Sequence, residues 1–380
     1  MTKSRIIVPR HAAQQTGTYN ISDLRNNYLS IYQFGLNNAL GVVQQQLAAY
    51  KSSLDSSLAT LTETTTERTE AAPSVISRRM APVDEYGKAR TQKAGKNYGR
   101  GFPLERFQDA TGWTEDFMAG ASVRDLVVMT DSVQLAHTNE VRISLALALY
   151  TPVQRTLREY IDPAIGYQLL ANQYVMPLWN ADGEIPSVGP SGQRFDGTHN
   201  HYVAVDTLTG TDVDNLANNV GEHSTGNQIV IYINQANAGQ VRALAGFVPA
   251  TIAQVINPLT GAVTTANLDV TRTDDKFLGY TAGGIPVYIK PWALLNYLLC
   301  LNLNGPKVVK RRVSKIPMLQ GLRIKGVNGE VNLFAQYWED SFGFGVSNRS
   351  GGAVLYFGPR PQGANVATYV APVFDDTDVF

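Results

Sequence analysis

Five histidines, His11, His137, His199, His201 and His223, are the side chains of this chain best suited to metal or proton chemistry. Two of them stand two residues apart in Asp196-Gly-Thr-His-Asn-His201. On a strand that spacing puts both imidazoles on one face, which is how a metal site can begin. A zinc-class ion takes three or four such ligands. The sequence offers the pair no cysteine and no clear third ligand, so it reads as a loop hydrogen-bonding pair. No metal ligand and no cofactor is assigned.

The other chemical candidates read as structure. Cys300, the single cysteine, lies in Tyr297-Leu-Leu-Cys-Leu301. It can form no intrachain disulfide, fits a reducing compartment and reads as a buried apolar thiol. No HExxH, GxSxG or P-loop pattern occurs. Gly343-x-Gly345 lacks the third glycine of a dinucleotide fingerprint, since position 348 is Asn, and it sits between strands. Asp375, Asp376 and Asp378 read as a solvated acidic tail, or one docked on a basic patch. No catalytic residue is assigned, and the chain is read as no enzyme.

Charge is the stronger signal. From Lys307 to Lys325 there are seven cations (Lys307, Lys310, Arg311, Arg312, Lys315, Arg323, Lys325) and no acid. Such a run can touch DNA, dock a neighbour or form a solvated hairpin. A second basic stretch, 75–119, carries Arg78, Arg79, Lys88, Arg90, Lys93, Lys96, Arg100 and Arg106 among glycines and tyrosines. Interleaved aromatics could stack on single-stranded nucleic acid. An arm lying across an acidic neighbour is preferred, because 32 Lys+Arg balance 32 Asp+Glu. A dedicated nucleic-acid binder carries a basic excess.

These residues need elements to hold them. Apolar residues make up 44% of the chain and charged ones 17%, below the usual ~25%. Residues 1–20 read as an extended arm, and Ser22-Asp23 as a helix cap. Leu36, Leu40, Val43, Leu47, Tyr50, Leu54, Leu58 and Leu61 then form a helical seam, buried on its own domain or on a neighbour. Thr62–Ser74 and the tail after Gly363 read as polar segments that need something to hold them down. Residues 129–161 read as two helices or one kinked helix, with Thr151-Pro152 restarting it. Residues 196–300 alternate α and β: a helix capped by Thr211, a buried strand Gln228–Ile233, a second helix from Asn234, and a strand Ile285–Ile289. Residues 307–358 read as strands, with a hairpin at Asn328-Gly329 and a turn at Ser347–Gly352. No apolar run reaches ~18 residues, and Met1-Thr-Lys-Ser-Arg5 is no signal peptide.

The order of these segments resembles tailed-bacteriophage major capsid proteins of the HK97 fold. The local matches are Asp196–Tyr202, Asn227–Asn234, Gly284–Ile289 and Gly343–Phe357, the last taken as a hairpin. The resemblance covers roughly residues 120–358 and implies an α+β fold. It places an N-terminal arm with amphipathic helix at 1–74, an E-loop-like basic hairpin at 75–120 and a P-domain with spine helix at 121–195. An A-domain follows at 196–300, returning P-domain strands at 301–360 and a tail at 361–380.

The resemblance also implies a function: self-assembly as hexamers and pentamers into an icosahedral shell around phage double-stranded DNA. It implies portal, scaffold and decoration proteins as partners, the scaffold being a separate protein or absent. DNA contact would be non-specific, with no membrane, in a virion assembled in the host cytoplasm. Lys88, Lys93 and Lys96 are available for the isopeptide cross-link some members form. On this reading the inter-subunit contacts are Leu40, Leu47, Leu54, Arg78, Arg79, Lys88, Arg90, Lys93, Lys96, Arg100, Arg311, Arg312, Asp375 and Asp376. The alternatives are an encapsulin-like compartment of the same fold and an α+β enzyme with an unrecognised site.

Overall fold

The computed structural model describes residues 30–374 apart from 72–84, 86, 88–98, 115, 117–119, 163–165, 251–252, 257–262, 267–275, 331–332, 361–364 and 366–367. The predicted arm at 1–20, the Ser22-Asp23 cap and most of the basic excursion lie outside the described residues.

In chain order, α1 (Ile31–Phe34) leads into α2 (Leu36–Leu58), then β1 (Thr62–Thr65), β2 (Thr69–Ala71), β3 (Gly99–Gly101), β4 (Glu105–Thr114) and the long helix α3 (Val123–Tyr150). The hairpin strands β5 (Arg155–Asp162) and β6 (Gly166–Val175) follow, then β7 (Tyr202–Ala204), α4 (Gly210–Gly221), β8 (Ile229–Ile233) and the short α5 (Ala238–Arg242). Next come β9 (Val248–Pro249), β10 (Ala253–Ile256), β11 (Val263–Ala266), β12 (Lys276–Tyr280), β13 (Pro286–Ile289) and β14 (Tyr297–Asn302). The chain closes with β15 (Val309–Val313), β16 (Arg323–Glu330), β17 (Leu333–Val346) and β18 (Gly352–Tyr356).

Two sheets carry the fold. In the five-stranded one, β17 pairs antiparallel with β15, β16 and β4, and β1 runs parallel to β15. The seven-stranded one has the order β7-β18-β14-β8-β13-β12-β9. Its central strands are apolar on both faces because both faces are covered. Along β14, Leu298 and Cys300 join one buried cluster with α4, while Tyr297, Leu299 and Leu301 join another with α3 and β17. The same two-residue alternation splits Ile231 and Ile233 from Val230 and Tyr232 on β8.

The long helix is one element of 28 residues. Ser122 opens it, its backbone N–H donating to the Asp125 carboxylate at 2.9 Å, which also places an acid at the positive end of the helix dipole. Strict apolar alternation over 141–149 imitates a strand, yet the segment is helical and its small alanines let it pack closely. Thr151-Pro152 ends this helix and does not restart one. Pro152 pushes Thr151 to an extended conformation (φ −87°, ψ 119°), and Arg155–Asp162 is a strand.

Other expectations also shift. The helix cap is Thr209, not Thr211, with Asp212 answering it. Asn328 and Gly329 pair with Ala335 and Phe334 inside the β16–β17 ladder, so the chain does not reverse there. β17 and β18 belong to different sheets, so Gly343–Phe357 is no hairpin. The turn at 347–351 carries the chain between them. Thr62–Thr65, expected to be a loose connector, is a strand of the main sheet. Glu105–Thr114, assigned to an excursion, pairs along its whole length with β17. Past residue 363, Tyr369, Val370 and Phe374 pack on the chain's own core, and the Tyr369 hydroxyl donates to Tyr150 O at 2.8 Å.

Cys300 is fully buried, and burial pushes its thiol well above the ordinary value. The folded chain should therefore release no chromophore from an aromatic disulfide reagent, and one equivalent after denaturation. Labelling of the folded chain at the rate of a free thiol would contradict this placement.

Candidate interaction surfaces and a histidine cluster

The seven cations of 307–325 do not form an outward face. Each finds an acceptor in its own chain. Lys307 Nζ donates to Thr60 O at 2.9 Å. Lys310 stands 3.0 Å from Glu70, and Lys315 3.7 Å from Glu67. Arg311 is buried and donates to Asp55 at 2.6 Å; Arg312 is buried and donates to Glu159 at 2.6 Å and to Phe102 O at 3.0 Å. Arg323 and Lys325 converge on the buried Glu339, with Arg106 and Gln108 beside them. Burial pushes the Glu339 carboxyl up, but Gln108 and the three cations outweigh it and hold it below its ordinary value. The acids that neutralise the run all lie outside it, from Asp55 to Glu339, so counting charges along 307–325 could not reveal them. Arg311 and Arg312, expected at inter-subunit contacts, are buried and bonded within their own chain.

The helical seam is likewise internal where it is described. Leu47 is buried with Val43, Leu126, Val127 and Trp338, and Leu54 is half-buried on the main core. From the seam itself, the Tyr50 hydroxyl meets His137 Nδ1 at 2.8 Å, and His137 Nε2 meets Asp340 at 2.9 Å. This buried chain of polar contacts joins α2, α3 and β17. The Leu40 side chain lies outside the described residues, as do Arg78, Arg79, Lys88, Arg90, Lys93, Lys96, Asp375 and Asp376. Arg100 is half-buried on β3, opposite Glu70 of β2.

Some apolar side chains do face outward. Val128 and Leu135, seven residues apart on α3 and hence on one stripe, are each 59% exposed. Ile316 and Met318 form an exposed pair on the turn after β15.

The structure also assembles a site that sequence spacing left incomplete. His199 and His201 enter β7, and His223 follows the end of α4. Their Nε2 atoms lie 2.9, 3.0 and 3.0 Å apart. The ring centroids are 4.8–5.0 Å apart, so all three rings aim Nε2 at a common point. His201 Nδ1–H donates to Gly352 O at 2.5 Å, which leaves its Nε2 with a lone pair. His223 Nδ1 has no hydrogen-bond partner among the described residues, so the polar contacts of that ring run through Nε2. Glu222 Oε1 stands 3.5 Å from His199 Nε2 and 3.9 Å from His223 Nε2, and its other oxygen accepts from Gln193 at 2.7 Å. Phe195 covers His199 and His223. Burial lowers all three imidazole pKa values, His201 well below the ordinary value and His223 to about 4. His223 is 22 residues beyond His201, outside any local motif. The only early signal was the Glu-His pair just past an amphipathic helix.

A clamp sets the backbone of this site. Arg349, on the turn between β17 and β18, is 1% exposed and binds Asp182 at 2.5 Å and Glu184 at 2.8 Å. It also donates to Pro177 O, Leu178 O and Asn180, and its guanidinium lies 4.2 Å from the Trp179 ring centroid. The loop it holds accepts and donates across to the histidine segment: His201 N–H to Trp179 O at 2.8 Å, and Ala181 N–H to His199 O at 2.9 Å.

No family model and no curated sequence matches the chain. Solved structures do. A chain from Mycobacterium phage Patience aligns over 94% of this chain and 96% of its own length, at 23% identity and a TM-score of 0.63. A chain from the capsid of a native GTA particle aligns over 80% and 90%, at 11% identity and TM-score 0.46. One from the satellite phage P4 procapsid aligns over 83% and 90%, at 10% identity and TM-score 0.42. The fold is that of the Patience phage chain, nearly end to end, and the mixed α+β architecture expected from the sequence is met.

Proposed function

We propose that this chain is a major capsid protein, whose copies close as hexamers and pentamers into an icosahedral shell around phage double-stranded DNA. The observation that carries the reading is the two-sided coverage, 94% and 96%, with the Patience phage chain. The two chains thus agree over nearly their whole compared lengths. The outward apolar stripe on α3 and the Ile316–Met318 pair give copies something to bury. The zero formal net charge spares a crowded shell electrostatic self-repulsion. Self-complementary chains commonly close into symmetric assemblies.

On this reading residues 75–98, with Lys88, Arg90, Lys93 and Lys96, reach across a neighbour. The acidic end at Asp375 and Asp376 meets a basic surface of another copy. The segments 1–74, 121–195, 196–300, 301–360 and 361–380 are arm, P-domain, A-domain, returning strands and tail, and the excursion is the part of 75–120 that precedes Glu105–Thr114, which lies in the five-stranded sheet. Portal, scaffold and decoration proteins are the partners, DNA contact is non-specific, and the protein resides in the virion after assembly in the host cytoplasm. Among the described residues no helix is long and apolar enough to cross a membrane.

Electron microscopy of virions or of recombinant particles tests this. Closed shells with five- and six-fold clusters of this chain, filled with DNA in virions, are expected. Shells enclosing protein cargo would favour the compartment of the same fold. A monomer or small oligomer under all assembly conditions, scaffold included, would sink the proposal.

A further inference from the structure

We propose that His199, His201 and His223 bind a zinc-class divalent metal ion, with Glu222 beside the open coordination position. Three Nε2 atoms that aim at one point within 3.0 Å of one another cannot all be satisfied by hydrogen bonds. His201 presents a lone pair because its Nδ1 proton is held by Gly352 O. A proton between any two of the nitrogens leaves the third facing a lone pair or an N–H. A cation at the common point accepts all three. In a tetrahedral site with Zn–N near 2.0–2.1 Å, ligand nitrogens stand ~3.3 Å apart. The observed triangle is within a few tenths of an ångström of that, and an ion at zinc distance sits about 1.1 Å out of its plane.

The surroundings fit the same ion. Imidazole ligands suit zinc and its neighbours in the first transition row, and all-oxygen sites suit calcium and magnesium. The bond from His201 Nδ1 to a backbone carbonyl is the outer-shell contact that orients a metal-bound histidine. Glu222, anchored by Gln193, can take the fourth position or hold a water there. His201 is fully buried and His223 nearly so, which limits exchange with solvent. Among the described residues this is the one group of three such side chains whose ligand atoms converge. The site joins the end of α4, the start of β7 and, through Gly352, β18. Its role is therefore to staple a helix and a loop to the seven-stranded sheet, inside one chain and independently of assembly.

The test uses the tag-free full chain, stripped with chelator, dialysed, and titrated with Zn²⁺ and separately with Co²⁺. One ion per chain is expected, with an unfolding midpoint that rises with Zn²⁺. The Co²⁺ form should show the intense visible bands of four-coordination. His223→Asn should weaken binding by at least about 100-fold, beyond the 10–100-fold typical of outer-shell changes, and Glu222→Gln by roughly 10-fold. His137→Asn, at a histidine outside the cluster, should keep the stoichiometry. Binding no tighter in the wild type than in a His199→Asn/His223→Asn double variant would overturn the proposal, as would a midpoint indifferent to Zn²⁺. If the variants fail to fold, the wild-type Co²⁺ spectrum decides: weak six-coordinate bands, or none, reject the site.

Discussion

Replacing Arg349 with methionine should lower folding stability by about 3–5 kcal/mol, the usual cost of removing one partner from a buried ion pair. Methionine keeps the apolar stem and removes only charge and donors. Asp182 and Glu184, one 20% and the other 15% exposed, would then face each other with no cation between them. Pro177 O, Leu178 O and Asn180 Oδ1 would lose their donor at the same time. A lost contact over Trp179 adds about 0.5–2 kcal/mol. Against a total stability of ~5–15 kcal/mol for a typical protein, such a loss is large. Denaturant unfolding of the unassembled chain measures it. Arg349→Lys should lose less, since it keeps the charge while giving up the fork of donors. A methionine variant within about 1 kcal/mol of wild type would show that the guanidinium does not hold this loop.

Arg349 also shows why parts of the molecule were legible in the sequence and parts were not. Periodic patterns were readable. The seam through Leu47 became a helix, and the apolar run at 229–233 became a strand covered on both faces, because burial imposes its period on the residues. Segment order carried the fold class for the same reason. Pairings between distant residues were hidden. Nothing near Arg349 in sequence announces Asp182 or Glu184. Nothing near Arg311 and Arg312 announces Asp55 or Glu159, so a stretch balanced by the fold read as a basic surface. His223 was hidden from the His199–His201 pair in the same way, and the strict i, i+2 reading stopped one ligand short.

Local turn chemistry misled where two readings share the same residues. Thr-Pro can open a helix or follow one, and an Asn-Gly dipeptide can turn a hairpin or sit inside its ladder. At Thr151-Pro152 the outcome was set by what precedes it: 28 helical residues ending at Tyr150, which is fully buried. At Asn328-Gly329 it was set by the pairing of β16 with β17 across Gly329↔Phe334 and Glu330↔Leu333.

Leu47→Asp separates the two fates that the sequence left open for the seam. Leu47 is 8% exposed and sits among Val43, Leu126, Val127 and Trp338 of its own chain. Truncating such a leucine typically costs about 2–5 kcal/mol, and a carboxylate with no partner there adds the cost of burying a polar group. The unassembled chain itself should therefore unfold or melt well below wild type, by circular dichroism and denaturant titration. Leu135→Asp is the contrasting variant. Leu135 lies on the outward stripe of α3, 59% exposed, where a carboxylate stays in water. Its fold should be unchanged, and any loss of particle yield would then report a contact between copies. If the seam instead lay on a neighbour, Leu47→Asp would give a chain of normal stability that fails only at assembly. That result would move α2 from the core of one subunit to the boundary between two.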